Sequence, residues 1–345
     1  MKRLARWWRA WVALMSRKER GDAMALFRIA TGVVVVWVLA GLLATGLVDI
    51  LWVDRAHGGY RALGSGPYLV RWLGGPTPGV IHGLTILTIV GGCAVILGLG
   101  GRLSAFVTLQ GYIALQRLDG NASGSSDILV TNALWLLVLA RSTATLSVDC
   151  KLRTGSFWSE EEISAFPRYL GILQLVVMYW ATGMQKVSVY WFPAGSYSAL
   201  YYILQQPTWQ RFSMTWAARV YPLTQVSTAV TWLWEVSAPL LVLVYYFRYT
   251  AERGGRLRRW ANRWDLRLGW AAVGVMLHLL IFTAMDVGHF SQISLCFYVC
   301  VLHPDELRRL YARVADRARH FSRRSDGDVP SADGRSADRA DGPTR

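Results

Sequence analysis

Long apolar stretches are the feature of this sequence that most restricts its fold. A helix needs about 20 apolar residues to cross a bilayer, and about eight stretches of the chain approach that length. With 53% hydrophobic residues, 17 tryptophans and a mean hydropathy of +0.27, the chain is too apolar for an ordinary soluble domain. We predict an all-α, polytopic bundle, because a helix satisfies its own backbone in lipid. The predicted spans are about 23–47, 79–100, 102–118, 127–146, 167–187, 220–247, 268–285 and 289–303.

The distribution of positive charge predicts which ends of these spans face the cytoplasm. Lys and Arg concentrate in alternate segments, which are 1–22, 101–102, 147–166, 248–267 and 304–345. The other connecting segments contain only Arg55, Arg61, Arg71 and Arg211. Because cytoplasmic loops carry the excess of Lys and Arg, both termini are predicted to be cytoplasmic. The net charge of +15 is therefore attributed to membrane orientation, and nucleic acid is excluded as a partner.

The chain divides into three predicted regions. Residues 1–20 combine basic residues with tryptophans and predict an amphipathic helix on the anionic inner leaflet. Residues 21–305 form the transmembrane domain, in which the short turn at 99–102 makes the second and third spans antiparallel neighbours. Arg28 lies about one turn inside the first span and is expected to snorkel to the cytoplasmic surface. Residues 306–345 form a basic, polar tail that is predicted to be disordered beyond about residue 322.

One lysine stands out among the basic residues. Only four of the 37 are lysines, and three of those, Lys2, Lys18 and Lys151, lie in charged segments. Lys186 instead follows a mostly uncharged run at the outer end of the fifth span. A desolvated lysine can lose its proton and act as a base, which arginine does not do. The alternative is that Lys186 snorkels from the helix end to the outer surface.

Ionisable residues inside spans are costly and need a reason. Glu235 lies in the middle of the sixth span, and Pro239 cannot donate a hydrogen bond to the Glu235 carbonyl. This pattern predicts a kink with a carboxyl group and a free carbonyl at one depth. His278 lies at a depth that Lys186 is expected to reach. For each of Glu235 and His278, the alternative is a role in hydrogen-bonded packing. Further ionisable candidates are His82 and the Asp286–His289 turn.

The helix before Lys186 supplies a candidate pocket wall. At helical spacing, Tyr179, Thr182 and Gly183 are expected to share a face with Lys186. The small residues let another helix approach, and the hydroxyl groups can line a polar cavity. The loop at 188–218 is rich in aromatic residues, as is typical of the membrane interface. The four cysteines, Cys93, Cys150, Cys296 and Cys300, form neither a disulfide framework nor a metal-site pattern.

The spacing Gly183-x2-Lys186-x4-Trp191-x3-Gly195 carries a family resemblance. With it stand Phe27-Arg-Ile, Glu235-Val-Ser-Ala-Pro-Leu, His278-Leu-Leu-Ile and Gly288-His-Phe. Together these elements resemble the horizontally transferred transmembrane (HTTM) family, which is related to the membrane domain of vitamin K-dependent gamma-carboxylase. The resemblance covers about residues 20–305. The carboxylase's Asn-His element has no counterpart, because the corresponding segment 120–127 contains no histidine.

The resemblance implies a chemistry for the site. In the carboxylase, the lysine of this motif is the base that deprotonates reduced vitamin K, and its position here is Lys186. The expected cofactor is a reduced quinone or a similar lipid-soluble molecule that enters from the outer leaflet. Tyr179, Thr182, Gly183, Trp191 and Gly195 would border it, while Glu235 and His278 would shape the pocket. The expected location is a bacterial plasma membrane, and a secreted peptide is a candidate substrate.

Two other classes of function compete with this enzyme hypothesis. One is a non-enzymatic membrane protein that assists the export, maturation or immunity of a secreted peptide, or that carries a small substrate. It predicts that Lys186→Arg is tolerated. The other is a scaffold that binds a membrane protein through its basic inner segments, and it predicts sensitivity to neutralising the arginines of 248–267.

Overall fold

The computed structural model describes residues 2–314 and consists almost entirely of helices. The helices are α1 (Lys2–Met15), α2 (Asp22–Ala44), α3 (Leu47–Trp52), α4 (Tyr68–Trp72), α5 (Pro78–Leu97), α6 (Gly101–Gln116), α7 (Ser125–Leu139), α8 (Val148–Thr154), α9 (Phe166–Gln185), α10 (Ala199–Leu204), α11 (Tyr221–Val236), α12 (Leu240–Tyr249), α13 (Arg256–Arg263), α14 (Leu266–Ala284) and α15 (Phe290–Tyr298). The all-α prediction omits two short strands. Strands β1 (Lys18–Arg20) and β2 (Glu162–Ser164) pair antiparallel, with Glu19 opposite Ile163.

A helix lies in each predicted span, but the helices differ in their capacity to cross a membrane. Among the described residues, α2, α5 and α14 are long and apolar enough individually. The segment from Thr215 through α11, together with α12, qualifies as a broken span bent by 57°. Helix α7 and the segment Phe290–Val301 are apolar but shorter. The chain is thus an integral membrane protein of helical architecture, and the number of eight crossings stays a prediction.

The short α15 lies at the centre of the packing, where it contacts α2, α7, α9 and α14. The prediction that α5 and α6 are antiparallel neighbours is confirmed. A Cβ atom at Gly91 would lie 2.5 Å from Thr108 Oγ1, and one at Gly111 would overlap the hydroxyl of Thr88. The later residue of α5, Gly91, thus meets the earlier residue of α6, Thr108, while Thr88 meets the later Gly111, so the two helices run in opposite directions at close range.

The expectation that Arg28 snorkels is wrong. Its side chain is buried, with 2% exposed, and donates to the carbonyl oxygens of Ser142 (2.9 Å) and Leu146 (2.6 Å). The predicted span 127–146 is also too long, because α7 ends at Leu139. A helix end leaves carbonyl groups without partners, and the irregular segment after α7 supplies such groups inside the protein. Arg28 binds them and has no need to reach water.

Two further arginines are buried in the same manner near the first turns of α9 and α14. Arg168 forms a bidentate ion pair with Glu19, with both N···O distances at 2.6 Å, and donates to the Cys300 carbonyl at 3.1 Å. Arg267 donates to the Val301 carbonyl at 2.9 Å and pairs with Asp265 at 2.8 Å. Each guanidinium therefore ties the beginning of a long helix to the carbonyl groups just beyond α15.

Two basic helices turn apolar side chains outward. The exposed large apolar residues of α1 include Leu4, Trp8, Trp11 and Val12, and those of α13 are Leu257 and Trp260, followed by Trp264 directly after the helix. Their spacing places each set on one stripe of its helix. The Arg17 guanidinium lies 4.5 Å from the centre of the Tyr249 ring, so the end of α1 is beside the end of α12.

The segment 248–267, predicted as a connection between two spans, contains α13 as well as the adjoining ends of α12 and α14.

A second unit begins at Asp305. The part of it that the structure describes, up to residue 314, is helical. The disordered tail predicted beyond about residue 322 lies outside the described residues.

Candidate functional site

The end of α9 determines where Lys186 points. The last helical residue is Gln185, and Lys186 has left the helical conformation, with φ −78° and ψ 72°. Only ψ departs from the helical value, so the Lys186 side chain still leaves the backbone as it would from the last turn of α9, and the chain changes direction after it. The expected shared face with Gly183 and Tyr179 is present, because Lys186 and Gly183 both face Glu235 of α11 and Tyr179 packs against Trp234 of the same helix.

Lys186 forms an ion pair with Glu235 inside the protein. The distance from Lys186 Nζ to Glu235 Oε2 is 2.5 Å, and the two side chains are 19% and 8% exposed. The ammonium group also lies 4.9 Å from the centre of the Trp191 ring, where the negative face of the indole attracts a cation. The snorkelling alternative does not hold, because the charge of Lys186 is directed to a buried carboxylate.

Gly183 explains how two residues 49 positions apart can meet. A Cβ atom at Gly183 would lie 3.0 Å from Glu235 Cβ and 3.0 Å from the Val236 backbone nitrogen. The missing side chain therefore lets α9 approach α11 closely at the level of Glu235. The prediction that Gly183 admits a neighbouring helix is confirmed, and that neighbour is α11.

The kink predicted at Pro239 is present. Helices α11 and α12 are separated by a break with a 57° bend. The Glu235 carbonyl is not free, however, because the Ala238 backbone N–H donates to it at 3.1 Å. A tighter turn thus supplies the hydrogen bond that Pro239 removes, and the polar group that remains for chemistry is the carboxylate.

The loop after Lys186 folds back on itself at Gly195. A Cβ atom there would overlap the carbonyl of Val189, so the close approach of the two backbone segments requires glycine. The Phe192 ring packs against Trp232 of α11, with 5.0 Å between ring centres. These contacts hold Trp191 over the ammonium group of Lys186. The outer side of the loop is apolar and exposed, and includes Val187 with 80% of its surface accessible.

His278 belongs to a second polar cluster and does not contact Lys186. Its Nε2 atom lies 2.5 Å from the Tyr179 hydroxyl, and Tyr298 donates its own hydroxyl to that oxygen at 2.7 Å. All three side chains are buried. The Trp234 ring covers Tyr179 with 4.4 Å between ring centres, and Trp234 directly precedes Glu235 in α11. The two clusters are therefore adjacent, with Trp234 beside both.

Tyr298 is not among the site residues predicted from the sequence. It lies within a predicted apolar span, and the only signal was a hydroxyl-bearing aromatic residue in that span. Thr182, by contrast, was predicted to line a polar cavity. Its hydroxyl donates to the Tyr179 carbonyl at 2.9 Å within its own helix, so its donor is already engaged.

The remaining candidates lie elsewhere in the molecule. His82 pairs with Asp49 at 2.7 Å, and His289 lies 3.3 Å from Asp127. Within residues 2–314, no group of three or more His, Cys, Asp or Glu side chains is placed to hold a metal ion. The four cysteines are unbonded, and Cys150, Cys296 and Cys300 are buried.

The arrangement at the end of α9 can exchange a proton. An ammonium and a carboxylate in contact, largely shielded from water, can be interconverted with a neutral amine and a carboxylic acid by moving one proton. The neutral amine can accept a proton from another molecule. The pair of Lys186 and Glu235 thus lies beside the Trp191 ring, which forms an adjacent flat wall.

A search of curated proteins and a search of solved structures each gave no match. The family model of the HTTM domain matches residues 16–252, which include Lys186, Glu235 and the loop between them. His278 and the Gly288-His-Phe element lie beyond the matched region. The match covers more than half of the sequence, and the all-helical membrane architecture agrees with it. The chain belongs to the HTTM domain family.

Proposed function

We propose that this protein is a membrane enzyme in which Lys186 removes a proton from a reduced quinone or a similar lipid-soluble cofactor. The observation that carries the proposal is the 2.5 Å ion pair between Lys186 and the buried Glu235. A lysine that only oriented the chain would direct its charge to water. This one is held against a group that can take its proton, which is the arrangement a general base needs.

The residues around the pair fit a flat, apolar cofactor. The Trp191 ring offers a stacking face beside Lys186, and the exposed side chains of Val187, Val189 and Tyr190 give an apolar approach from lipid. When bound, a reduced quinone would supply an acidic hydroxyl and a source of electrons. Tyr179, Thr182, Gly183 and Gly195 would form or position the walls of this pocket.

The protein's own groups would divide the proton transfer between them. Glu235 would take the proton of the Lys186 ammonium, and the resulting amine would accept the proton of the bound hydroxyl group. The cluster of Tyr179, His278 and Tyr298 would hold α9, α14 and α15 in place behind the pair and provide hydroxyl and imidazole groups for proton transfer. Water exclusion by Trp191 and Trp234 would keep the amine from being protonated by solvent.

Co-purification tests this proposal directly. The wild-type protein, purified in nanodiscs, is expected to retain a quinone that mass spectrometry detects, and Lys186→Ala is expected to retain at least about tenfold less. Lys151→Ala is the matched control, because Lys151 lies over the Phe157 ring in a charged segment away from the site. Equal quinone content in all three proteins would contradict the proposal. It would favour a non-enzymatic role in the export, maturation or immunity of a secreted peptide.

We further propose eight crossings of a bacterial plasma membrane with both termini in the cytoplasm. The exposed apolar stripes and basic residues of α1 and α13 support this orientation, since such helices lie in the headgroup layer of an anionic inner leaflet. The bilayer would thus be the partner of both helices.

Cysteine labelling tests the orientation. In intact cells, a membrane-impermeant maleimide is expected to label Ser213→Cys in the outer loop and to leave Arg256→Cys of α13 unlabelled until the cells are opened. The unmodified protein gives the background from Cys93, which is exposed. Labelling of Arg256→Cys from outside would show that the orientation is reversed or that the number of crossings before α13 is wrong.

A further inference from the structure

A separate cavity lies away from the Lys186 site, between α2, α3, α6 and the beginning of α7. Its volume is about 150 Å³, and neither Lys186 nor Glu235 lines it. Most of its wall is apolar and comes from α2, α3 and α6, through residues that include Leu39, Leu42, Leu51, Trp52 and Leu115. A cavity of about this volume holds one molecule the size of benzene. The space therefore suits a single small ring.

One end of this cavity is polar, and its side chains are held in place by contacts with one another. Tyr112 donates its hydroxyl to Asp127 Oδ1 at 2.7 Å, and His289 Nε2 lies 3.3 Å from the same oxygen. The distance between Tyr112 Oη and His289 Nε2 is 3.4 Å. The other carboxylate oxygen, Asp127 Oδ2, accepts the Gly124 backbone N–H at 2.8 Å. Three segments distant in the sequence, α6, the start of α7 and the turn before α15, thus bring three polar side chains to one point.

The hydrogen-bonding capacity of this end defines the complementary ligand. Tyr112 uses its one O–H on Asp127, so its oxygen can still accept a hydrogen bond. A hydrocarbon would make no hydrogen bond to this end. The Asp127 carboxylate, which would attract a charged amine, already pairs with Tyr112 and His289, and such an amine would have to leave water to enter a largely apolar space. A hydroxyl group can add a hydrogen bond to the Tyr112 oxygen without carrying a charge.

We propose that this cavity is a binding site for a small neutral alcohol with a one-ring hydrocarbon body. The ring lies against Trp52 and the leucines, and the hydroxyl donates to the cluster of Tyr112, Asp127 and His289. This site is distinct from the one at Lys186, and the inference does not depend on the function proposed there.

Ligand-observed fluorine NMR on the full chain in nanodiscs tests the site. The probes are 4-fluorobenzyl alcohol, 4-fluorotoluene, which lacks the hydroxyl, and 4-fluorobenzylamine, which is charged. Empty nanodiscs give the background of partition into lipid. We expect saturable binding of the alcohol, with an affinity about tenfold higher than that of either other probe, because 4-fluorotoluene cannot donate a hydrogen bond to the Tyr112 oxygen and 4-fluorobenzylamine loses the hydration of its charge.

Two variants separate binding in the cavity from binding elsewhere. Ala122 lines the cavity from an exposed loop, so Ala122→Phe is expected to fill the space and abolish saturable binding without disturbing the core. Ala218→Phe, at an exposed position outside the cavity, is the matched control and is expected to bind as the wild type does. Lys186→Arg is also expected to retain binding.

Three results would overturn the proposal. The first is undiminished binding of the alcohol by Ala122→Phe, which would place the ligand outside the cavity. The second is equal affinity for the alcohol and 4-fluorotoluene, which would deny a role to the polar cluster. The third is loss of binding in a correctly folded Lys186→Arg protein, which would assign the ligand to the Lys186 site.

Discussion

Glu19→Gln is expected to lower the free energy of unfolding by about 3–5 kcal/mol, because it leaves a buried guanidinium without its counter-charge. Arg168 and Glu19 have side chains that are 1% and 7% exposed, and their bidentate contact links β1 to the beginning of α9. Glutamine keeps the size of the side chain but offers one acceptor oxygen and no charge. Of the hydrogen bonds that Arg168 makes, only the one to the Cys300 carbonyl would be unchanged.

The control for this prediction is an exposed ion pair in the same region. Glu160, whose side chain is 71% exposed, pairs with Arg20, and Glu160→Gln is expected to cost at most about 1 kcal/mol. Denaturant unfolding of the three proteins in matched micelles measures the difference. Similar losses in the two variants would show that burial does not strengthen the Glu19 pair.

A double variant tests the physical cause. If the cost comes from an unpaired buried charge, then Glu19→Gln combined with Arg168→Met is expected to be more stable than Glu19→Gln alone. The recovery should be partial, because Arg168→Met also removes the donor to Cys300. A double variant less stable than either single variant would indicate that packing of the arginine, and not its charge, dominates.

Composition and hydropathy could predict the helical membrane architecture, but they could not predict the three buried arginines. An apolar run identifies a helix because a span must bury its backbone and present apolar side chains to lipid. Arg28 lies near the end of such a run, and the sequence there does not show whether its side chain reaches the membrane surface or is buried in the protein. Its actual position depends on the carbonyl groups of Ser142 and Leu146, which become available only because α7 ends early.

The site was predictable as a set of residues and not as a set of contacts. Lys186 and Glu235 were singled out because charged groups in spans are costly. That they pair depends on the distance between α9 and α11, which Gly183 sets by lacking a side chain. His278 contacts the Tyr179 hydroxyl and does not join the pair. Hydropathy carries no information about which faces of two helices meet, so it could not distinguish these outcomes.

Lys186→Arg is expected to slow oxidation of a reduced quinone by about 10²–10⁴-fold, the usual contribution of a general base. The rate is measured with the protein in nanodiscs, supplied with reduced quinone and oxygen. Arginine can keep the ion pair with Glu235 and the contact with Trp191, so the thermal unfolding midpoint should stay close to that of the wild type. It stays protonated, however, and cannot provide a neutral base.

The exchanged variant, Lys186→Glu with Glu235→Lys, separates charge pairing from base position. It restores an ion pair across the contact between α9 and α11, so it should be more stable than either single exchange, each of which places like charges together. It moves the amine from the loop beneath Trp191 to the interior of α11, where the bound hydroxyl group would be out of reach. Oxidation of the reduced quinone should therefore remain as slow as in Lys186→Arg.

A rate near the wild-type value in Lys186→Arg would show that Lys186 is not the base. Recovery of the rate in the exchanged protein would instead show that the pocket needs a charge pair at this depth and that the position of the amine within it is immaterial.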